Sequence, residues 1–195
     1  MEELEKYDNN VSEEMLSMIK TSILKFKTTI LDLTEIAKVQ KQFETETDKV
    51  NLSEILDEVL LNINNTIIES KAEIKVDLKD CCLLNFSRKN IRSIFYNLIS
   101  NAIKYHSPDR KPVIHIKTQI IDNFCLLSVQ DNGLGFDEDQ TDKIFIMFKR
   151  LHTHVEGTGV GLYIVKRIIE NAGGKIEVES KKGVGSIFKV YFKIV

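Results

Sequence analysis

From Leu16 onward, the apolar residues Leu16, Ile19, Ile23, Phe26, Ile30, Leu33 and Ala37 recur at alternating steps of 3 and 4, while Lys20, Lys25, Lys27, Asp32, Glu35, Lys38 and Lys41 lie off that line. This is a heptad seam. The segment contains neither glycine nor proline, so the pattern predicts one long helix from about Glu13 to Phe43, with Ser12 as its cap. A large apolar side chain gains roughly 1.5–3 kcal/mol on full burial, so a seam of this length forfeits about 10 kcal/mol if left in water. It calls for a partner. A homodimer or bundle through the heptad helix would supply one, and so would packing on the domain that follows.

The pattern changes near residue 47. After the polar stretch Glu44 to Lys49, a second helix is expected from about Leu52 to Lys71. Beyond it, β-branched runs with partial alternation predict strands at Glu73 to Leu78, Val113 to Ile120, Phe124 to Val129, Lys175 to Ser180 and Ser186 to Ile194. Helical spacing over Arg88 to Lys104 stops near Ser107-Pro108, and over Gly159 to Ala172 it stops at Gly173-Gly174. The expected fold class is α+β: a two-layer α/β sandwich with one mixed sheet covered on one face by helices, preceded by a long coiled-coil-type helix. Residues 1–47 and 48–195 form the two expected units.

Composition narrows the function classes. The 195 residues balance 27 basic against 29 acidic side chains, a net charge of -2, so no general field favours nucleic acid or an anionic membrane. No apolar run approaches the roughly 20 residues needed to cross a bilayer, and nothing resembles a signal peptide. A cytoplasmic chain without membrane contact is expected, although a longer parent could be membrane-anchored. Cys81, Cys82 and Cys125 lack metal-type spacing, and the adjacent pair Cys81-Cys82 is poorly suited to a disulfide, so all three read as reduced thiols.

Candidate chemistry lies in three pieces. Asn97 and Asn101 are four apart on the Arg88 to Lys104 helix and project from one face, with Lys104 one turn further on. An amide oxygen is a hard neutral ligand suited to magnesium, and Lys104 could add a cation for phosphate; such a face is also what a solvated helix presents. Asp131 ends a strand and opens Asn-Gly-Leu-Gly, where Gly133 and Gly135 permit close backbone approach to a planar base. A carboxylate accepts from the exocyclic amine of adenine but would oppose the carbonyl of guanine. Asp-Asn-Gly is equally an ordinary turn. Finally, Gly157-Thr158-Gly159-Val160-Gly161 runs into a helix starting at Leu162, where successive N–H groups favour an anion. It has neither the dinucleotide fingerprint nor a Walker lysine, and a flexible loop uses the same residues. The stretch Phe145 to Glu156 would form a lid, with Lys149 or Arg150 reaching terminal phosphates, while Phe145 and Phe148 suit ordinary core.

Taken in order, these blocks resemble the catalytic ATP-binding domain of sensor histidine kinases, in the superfamily that also holds gyrase, the heat-shock chaperone and mismatch-repair ATPases. Asn97-Leu-Ile-Ser-Asn-Ala-Ile-Lys-Tyr105 is similar to the N box, Asp131-Asn-Gly-Leu-Gly135 to G1, and Ile144-Phe-Ile-Met-Phe148 to the F box. Gly157-Thr-Gly-Val-Gly161 is similar to G2, and Gly183-Val-Gly-Ser-Ile-Phe188 to the last glycine block. The resemblance covers about Leu52 to Val195. It implies ATP and Mg2+ as cofactors, with Asn101 on the metal, Asn97 as its neighbour, Lys104 on phosphate and Tyr105 near the nucleotide. It further implies Asp131 for adenine, Gly159 and Gly161 at the phosphates, and Ser186 beside the base.

The hydrolysing branches usually place Glu four residues before the magnesium Asn, where this chain has Asn97. An amide cannot take a proton from water, so transfer to a nucleophile activated elsewhere is favoured. In histidine kinases that nucleophile is a His on the first helix of a dimerisation hairpin, yet residues 13–43 contain no His, and His106, His115, His152 and His154 do not look like acceptors. His106 and the lid pair are expected to face solvent. Met18 to Val39, and especially Thr29 to Ala37, resembles the second hairpin helix. The resemblance therefore implies a kinase catalytic portion whose acceptor helix is absent, most simply because this chain is a piece of a longer protein, and which cannot phosphorylate itself alone. A response regulator is the implied downstream partner. An ATP-driven switch or hydrolase of the same superfamily, and a non-catalytic dimerising module, are the alternatives.

Overall fold

The computed structural model describes residues 15–24, 26–31, 33, 34, 37, 48–151, 155 and 157–194. Residues 15–24 and 26–31 are helical, as are 33, 34 and 37; the rest of the expected Glu13 to Phe43 helix lies outside the described residues. Along this segment Leu16, Ile19, Ile23, Phe26, Ile30 and Leu33 are all exposed. The following domain therefore does not cover the seam.

That domain runs β1 (Asp48–Asn51), α1 (Leu52–Asn62), α2 (Asn64–Ser70), β2 (Glu73–Asp77), β3 (Leu83–Phe86), α3 (Arg88–Lys104), β4 (Val113–Ile121), β5 (Phe124–Asp131), α4 (Gly161–Asn171), β6 (Lys175–Lys181) and β7 (Gly185–Lys193). Five strands form one sheet in the order β2-β4-β5-β7-β6, with β2 parallel to β4 and every other pair antiparallel. The mixed sheet and the α+β class agree with the sequence pattern. Period-two alternation explains the faces: on β4, Ile114, Ile116 and Thr118 are buried while His115, Lys117 and Gln119 are exposed. Helices α3 and α4 pack on the apolar face, with α1 against α3.

Helix α3 positions the site. Ile91, Ile94, Phe95, Leu98, Ile99, Ala102 and Ile103 form a buried stripe at steps of three and four, which fixes the helix's rotation and turns Asn97, Asn101 and Lys104 away from the core. Glu58 on α1 bridges Arg88 and Arg92 at its start, holding the two helices in register.

Two expectations are corrected and one element was missed. The single helix predicted from Leu52 to Lys71 is broken at Ile63 (φ -103°, ψ 14°), inside an Asn62 to Asn65 cluster whose side chains favour turns over helix interiors. Strands β1 and β3 pair with each other as a separate two-stranded sheet that the sequence pattern did not reveal, since four residues carry too little alternation. And Cys81 is bonded to Cys125, with their Cα atoms 6.2 Å apart, which ties the chain beyond β2 to the start of β5; among the described cysteines only Cys82 is a free thiol. Spacing excluded the adjacent pair but could not reveal a partner 44 residues away.

Candidate functional site

On α3, the Asn97 Nδ2 donates to Ser93 O at 2.8 Å, which fixes the amide and directs Oδ1 toward the start of α4. There Gly161 fits only because it lacks a side chain: a Cβ would overlap Asn97 Oδ1. The Asn101 amide, one turn on, is half-buried and makes no hydrogen bond to a described residue, so its oxygen is available to a ligand. Lys104 is exposed at the helix end, and its Nζ would lie 3.3 Å from a Cβ at Gly157.

The opposite wall comes from the ends of β5 and β7. Asp131 and Ser186 are cross-strand partners. The Asp131 carboxylate accepts from Gly133 N at 2.7 Å and from the Ser186 backbone N–H. Burial nevertheless outweighs those bonds and the Arg110 charge, and pushes its pKa up to about 6. Ser180 Oγ accepts from Phe136 N at 2.9 Å, lies 3.1 Å from Gly185 O and 3.0 Å from Ser186 Oγ. The proton assignment that satisfies all three has Ser180 donating to Gly185 O and Ser186 donating to Ser180, which leaves the buried Ser186 oxygen as an acceptor toward the cleft.

The glycines here serve the protein before any ligand. A Cβ on Gly133 would overlap Tyr105 O, and one on Gly135 (φ 58°) would overlap Lys181 O, so at both positions the missing side chain lets neighbouring backbone approach closely. Gly185 is likewise pressed on Asp131 O. Tyr105 O accepts from Leu134 N at 2.8 Å, and its half-buried phenol has a raised pKa because burial disfavours the phenolate.

The roof runs from the 3-10 turn at Lys143–Phe145 to α4. Phe145 is core, as expected, but Phe148 is exposed and has φ 64°, unusual for a bulky residue. Its N–H donates to Gly159 O at 3.0 Å, and Gly159 (φ 76°) would bring a Cβ to 2.9 Å from Lys149 O. Arg150 Nη1 donates to Val155 O and Gly157 O, both at 3.3 Å, so its head group braces the roof's own backbone. Val160 is fully buried as the residue before α4. His152 and His154 lie outside the described residues; His106, expected to face solvent, is half-buried with Nδ1 2.8 Å from Ile103 O.

These walls enclose a cavity of about 450 Å³, in the range of small-molecule sites. Asn97, Asn101, Lys104 and Tyr105 line one side and Asp131, Gly135 and Ser186 the other. Lys149, Arg150, Gly157, Thr158, Gly159, Gly161 and Leu162 close the top. Of the residues named from sequence, Gly133 and Val160 stand behind the wall rather than in it. Arg110 and Ser180, which hold the wall that carries Asp131 and Ser186, were missed: neither belongs to a glycine block, and only Ser180's place in β6 hinted at it.

A family model described as "Histidine kinase-, DNA gyrase B-, and HSP90-like ATPase" matches residues 86–195. The chain belongs to this family. It carries the family's ATP-binding catalytic domain in its histidine kinase form. Among curated relatives, the phytochrome-like protein Cph1 of Synechocystis is 36% identical over 185 residues, covering 94% of this chain and 24% of Cph1. The sensor protein kinase WalK of Staphylococcus aureus is 28% identical over 191 residues, 93% of this chain and 45% of WalK. The chain thus spans a quarter to under half of the length of these relatives. The catalytic domain of histidine kinase ThkA in a nucleotide-free form superposes with a TM-score of 0.67 at 26% identity, over 76% of this chain and 96% of that one. Full-length ShkA in complex with AMPPNP has the same fold, with a TM-score of 0.71 over 84% of this chain and 35% of that one at 24% identity. Among the described residues no helix is long and apolar enough to cross a membrane.

Proposed function

We propose that this chain is the catalytic portion of a cytoplasmic two-component sensor kinase, which delivers the γ-phosphoryl group of ATP to a histidine on a separate dimerisation helix. One observation carries the reading. A largely buried carboxylate, two amide side chains and a glycine-rich run of backbone line a single cavity. In the proposed pose Asp131 accepts from the adenine amine, with the Ser186 oxygen beside it. The backbone of Gly157, Thr158, Gly159, Gly161 and Leu162 and the Lys104 ammonium face the triphosphate. The residues also fit magnesium: the hard, neutral Asn101 oxygen is on the cavity wall, where it would hold the ion together with nucleotide oxygens and water. When bound, it would neutralise charge developing on the phosphate oxygens.

In the transfer itself, the lone pair of one nitrogen of the acceptor imidazole bonds to the γ-phosphorus while the bond to the β–γ bridging oxygen breaks and ADP leaves, and the other ring N–H gives its proton to the acidic residue beside the acceptor. Asn97 offers water no general base. The exposed apolar seam supports a homodimer through the heptad helix, and a response regulator would take the phosphoryl group onward. Calorimetric titration with Mg-ATP should show one site per chain, and heat no greater than dilution would overturn the reading. Labelled ATP should leave this chain unlabelled, and should label a helical hairpin carrying His followed by an acidic residue when that is added. Steady phosphate release abolished by Asn101→Ala, with no transfer, would instead indicate a hydrolysing switch.

A further inference from the structure

The connection between α3 and β4 belongs to no glycine block, yet its Arg110 holds two of them together. The guanidinium donates from Nε to Asn132 O at 2.5 Å and from Nη2 to Gly133 O at 2.7 Å and Gly183 O at 2.9 Å, with Val184 O at 3.3 Å. The first two carbonyls lie in the turn directly after Asp131, and the other two lie in the β6–β7 turn directly before Gly185 and Ser186. Asn132 returns the contact: its Oδ1 accepts from Val113 N and its Nδ2 donates to Lys111 O, each at 2.9 Å. Gly183 N completes the junction by donating to Leu134 O at 2.7 Å. Three stretches distant in sequence therefore meet at one planar cation.

Four carbonyl dipoles pointing at one place repel one another unless a cation sits among them, and the spread of donors in a guanidinium matches them where an ammonium cannot. Arg110 is exposed and stands outside the residues that line the cavity, although its charge is felt by the Asp131 carboxylate. The strands that carry Asp131 and Ser186 are already paired at those residues, so what Arg110 adds is a fixed seating of the turn after Asp131 against the turn before Ser186. We propose that Arg110 is a positioning residue for the adenine subsite, and that its clamp on the two turns sets both the affinity for adenine and the preference for adenine over guanine.

This inference rests on the nucleotide reading above, and one experiment separates their failures. Wild type, Arg110→Lys and Arg110→Gln are titrated with Mg-ATP, Mg-GTP and tripolyphosphate at a temperature where circular dichroism shows each folded. Loss of several charge-assisted hydrogen bonds should weaken Mg-ATP about tenfold in Arg110→Gln and about threefold in Arg110→Lys. The ATP-to-GTP ratio should contract by the same factors, with tripolyphosphate binding unchanged. A purely structural brace would lower the melting temperature and leave that ratio intact in the folded protein. If wild type binds Mg-ATP while the folded variants match it within about twofold at the same ratio, Arg110 has no positioning role. If Arg110→Gln does not fold, the ratio in Arg110→Lys decides alone. If wild type itself binds no Mg-ATP, the nucleotide reading falls first.

Discussion

The two ends of the cavity are built on different principles. At the Asp131 end, side chains are held by interlocked backbone: Gly135 is packed on Lys181 O, Gly185 on Asp131 O, and Ser180 ties Phe136, Gly185 and Ser186 together. At the Asn101 end the surfaces are a helix face and a glycine-rich roof, joined by Asn97 against Gly161 and by Arg150 bonds to roof carbonyls. A flat base with a fixed edge pattern needs an acceptor in one place, and only a rigid wall supplies that. A triphosphate is recognised by charge and many N–H donors, which a strip of backbone provides without exact side-chain placement.

The largest test of this contrast is steric. Gly135→Ala places a methyl group into Lys181 O at a positive φ, and should cost about 3 kcal/mol or more, lowering the melting temperature by roughly 6–12 °C. Gly183→Ala, in the adjoining turn with φ 77°, meets nothing within 4 Å. It should cost only about 1 kcal/mol, the penalty for a left-handed backbone. Equal melting shifts for the two would mean that the turns are not interlocked.

The next test separates base from phosphate. Asp131→Ala removes a charged acceptor and should weaken ATP and ADP alike, by about tenfold to a hundredfold. Asn101→Ala should weaken Mg-ATP about tenfold while metal-free ADP stays within about twofold. If the two substitutions gave the same pattern across these nucleotides, the cavity would have no distinct ends.

Much of this was legible in the sequence, and the reasons are physical. The stripe from Ile91 to Ile103 had to bury, so it fixed which face of α3 carries Asn97 and Asn101; alternation in β4 and β5 likewise placed Asp131 at a strand end. What could not be read were contacts between segments far apart: the bond between Cys81 and Cys125, the pairing of β1 with β3, and the carbonyls gathered by Arg110. The role of the glycines was only half visible. Sequence shows that Gly135 is unusual, but not that its missing side chain makes room for Lys181.

A smaller effect comes from protonation at the base end alone. Burial holds the Asp131 pKa at about 6, above the ordinary 3.8. In the proposed pose the carboxylate is ionised above pH 6 and would accept from the adenine amine; below that pH a proton must be released before binding. ATP affinity should therefore fall as pH drops through about 6, by at most about tenfold per unit. Nucleotide phosphates titrate in the same range, so the part due to Asp131 is the part missing in Asp131→Asn. An identical profile in that variant would remove Asp131 from the base contact.

The smallest effect belongs to the roof. Arg150 was expected from sequence to reach the terminal phosphates, but its Nη1 lies 3.3 Å from both Val155 O and Gly157 O, and it lines the cavity beside Lys149. A side chain used mainly to shape the roof should matter less than one in direct contact with a phosphoryl oxygen. Arg150→Ala should then weaken ATP only about threefold, as expected for one or two long hydrogen bonds to carbonyls, and should leave the melting temperature and the ATP-to-GTP ratio unchanged. A loss of about a hundredfold confined to ATP, with ADP unaffected, would show instead that the guanidinium leaves those carbonyls to hold the γ-phosphate. In that event the phosphate end would depend on a placed side chain after all, and its contrast with the Asp131 end would narrow to the degree of packing.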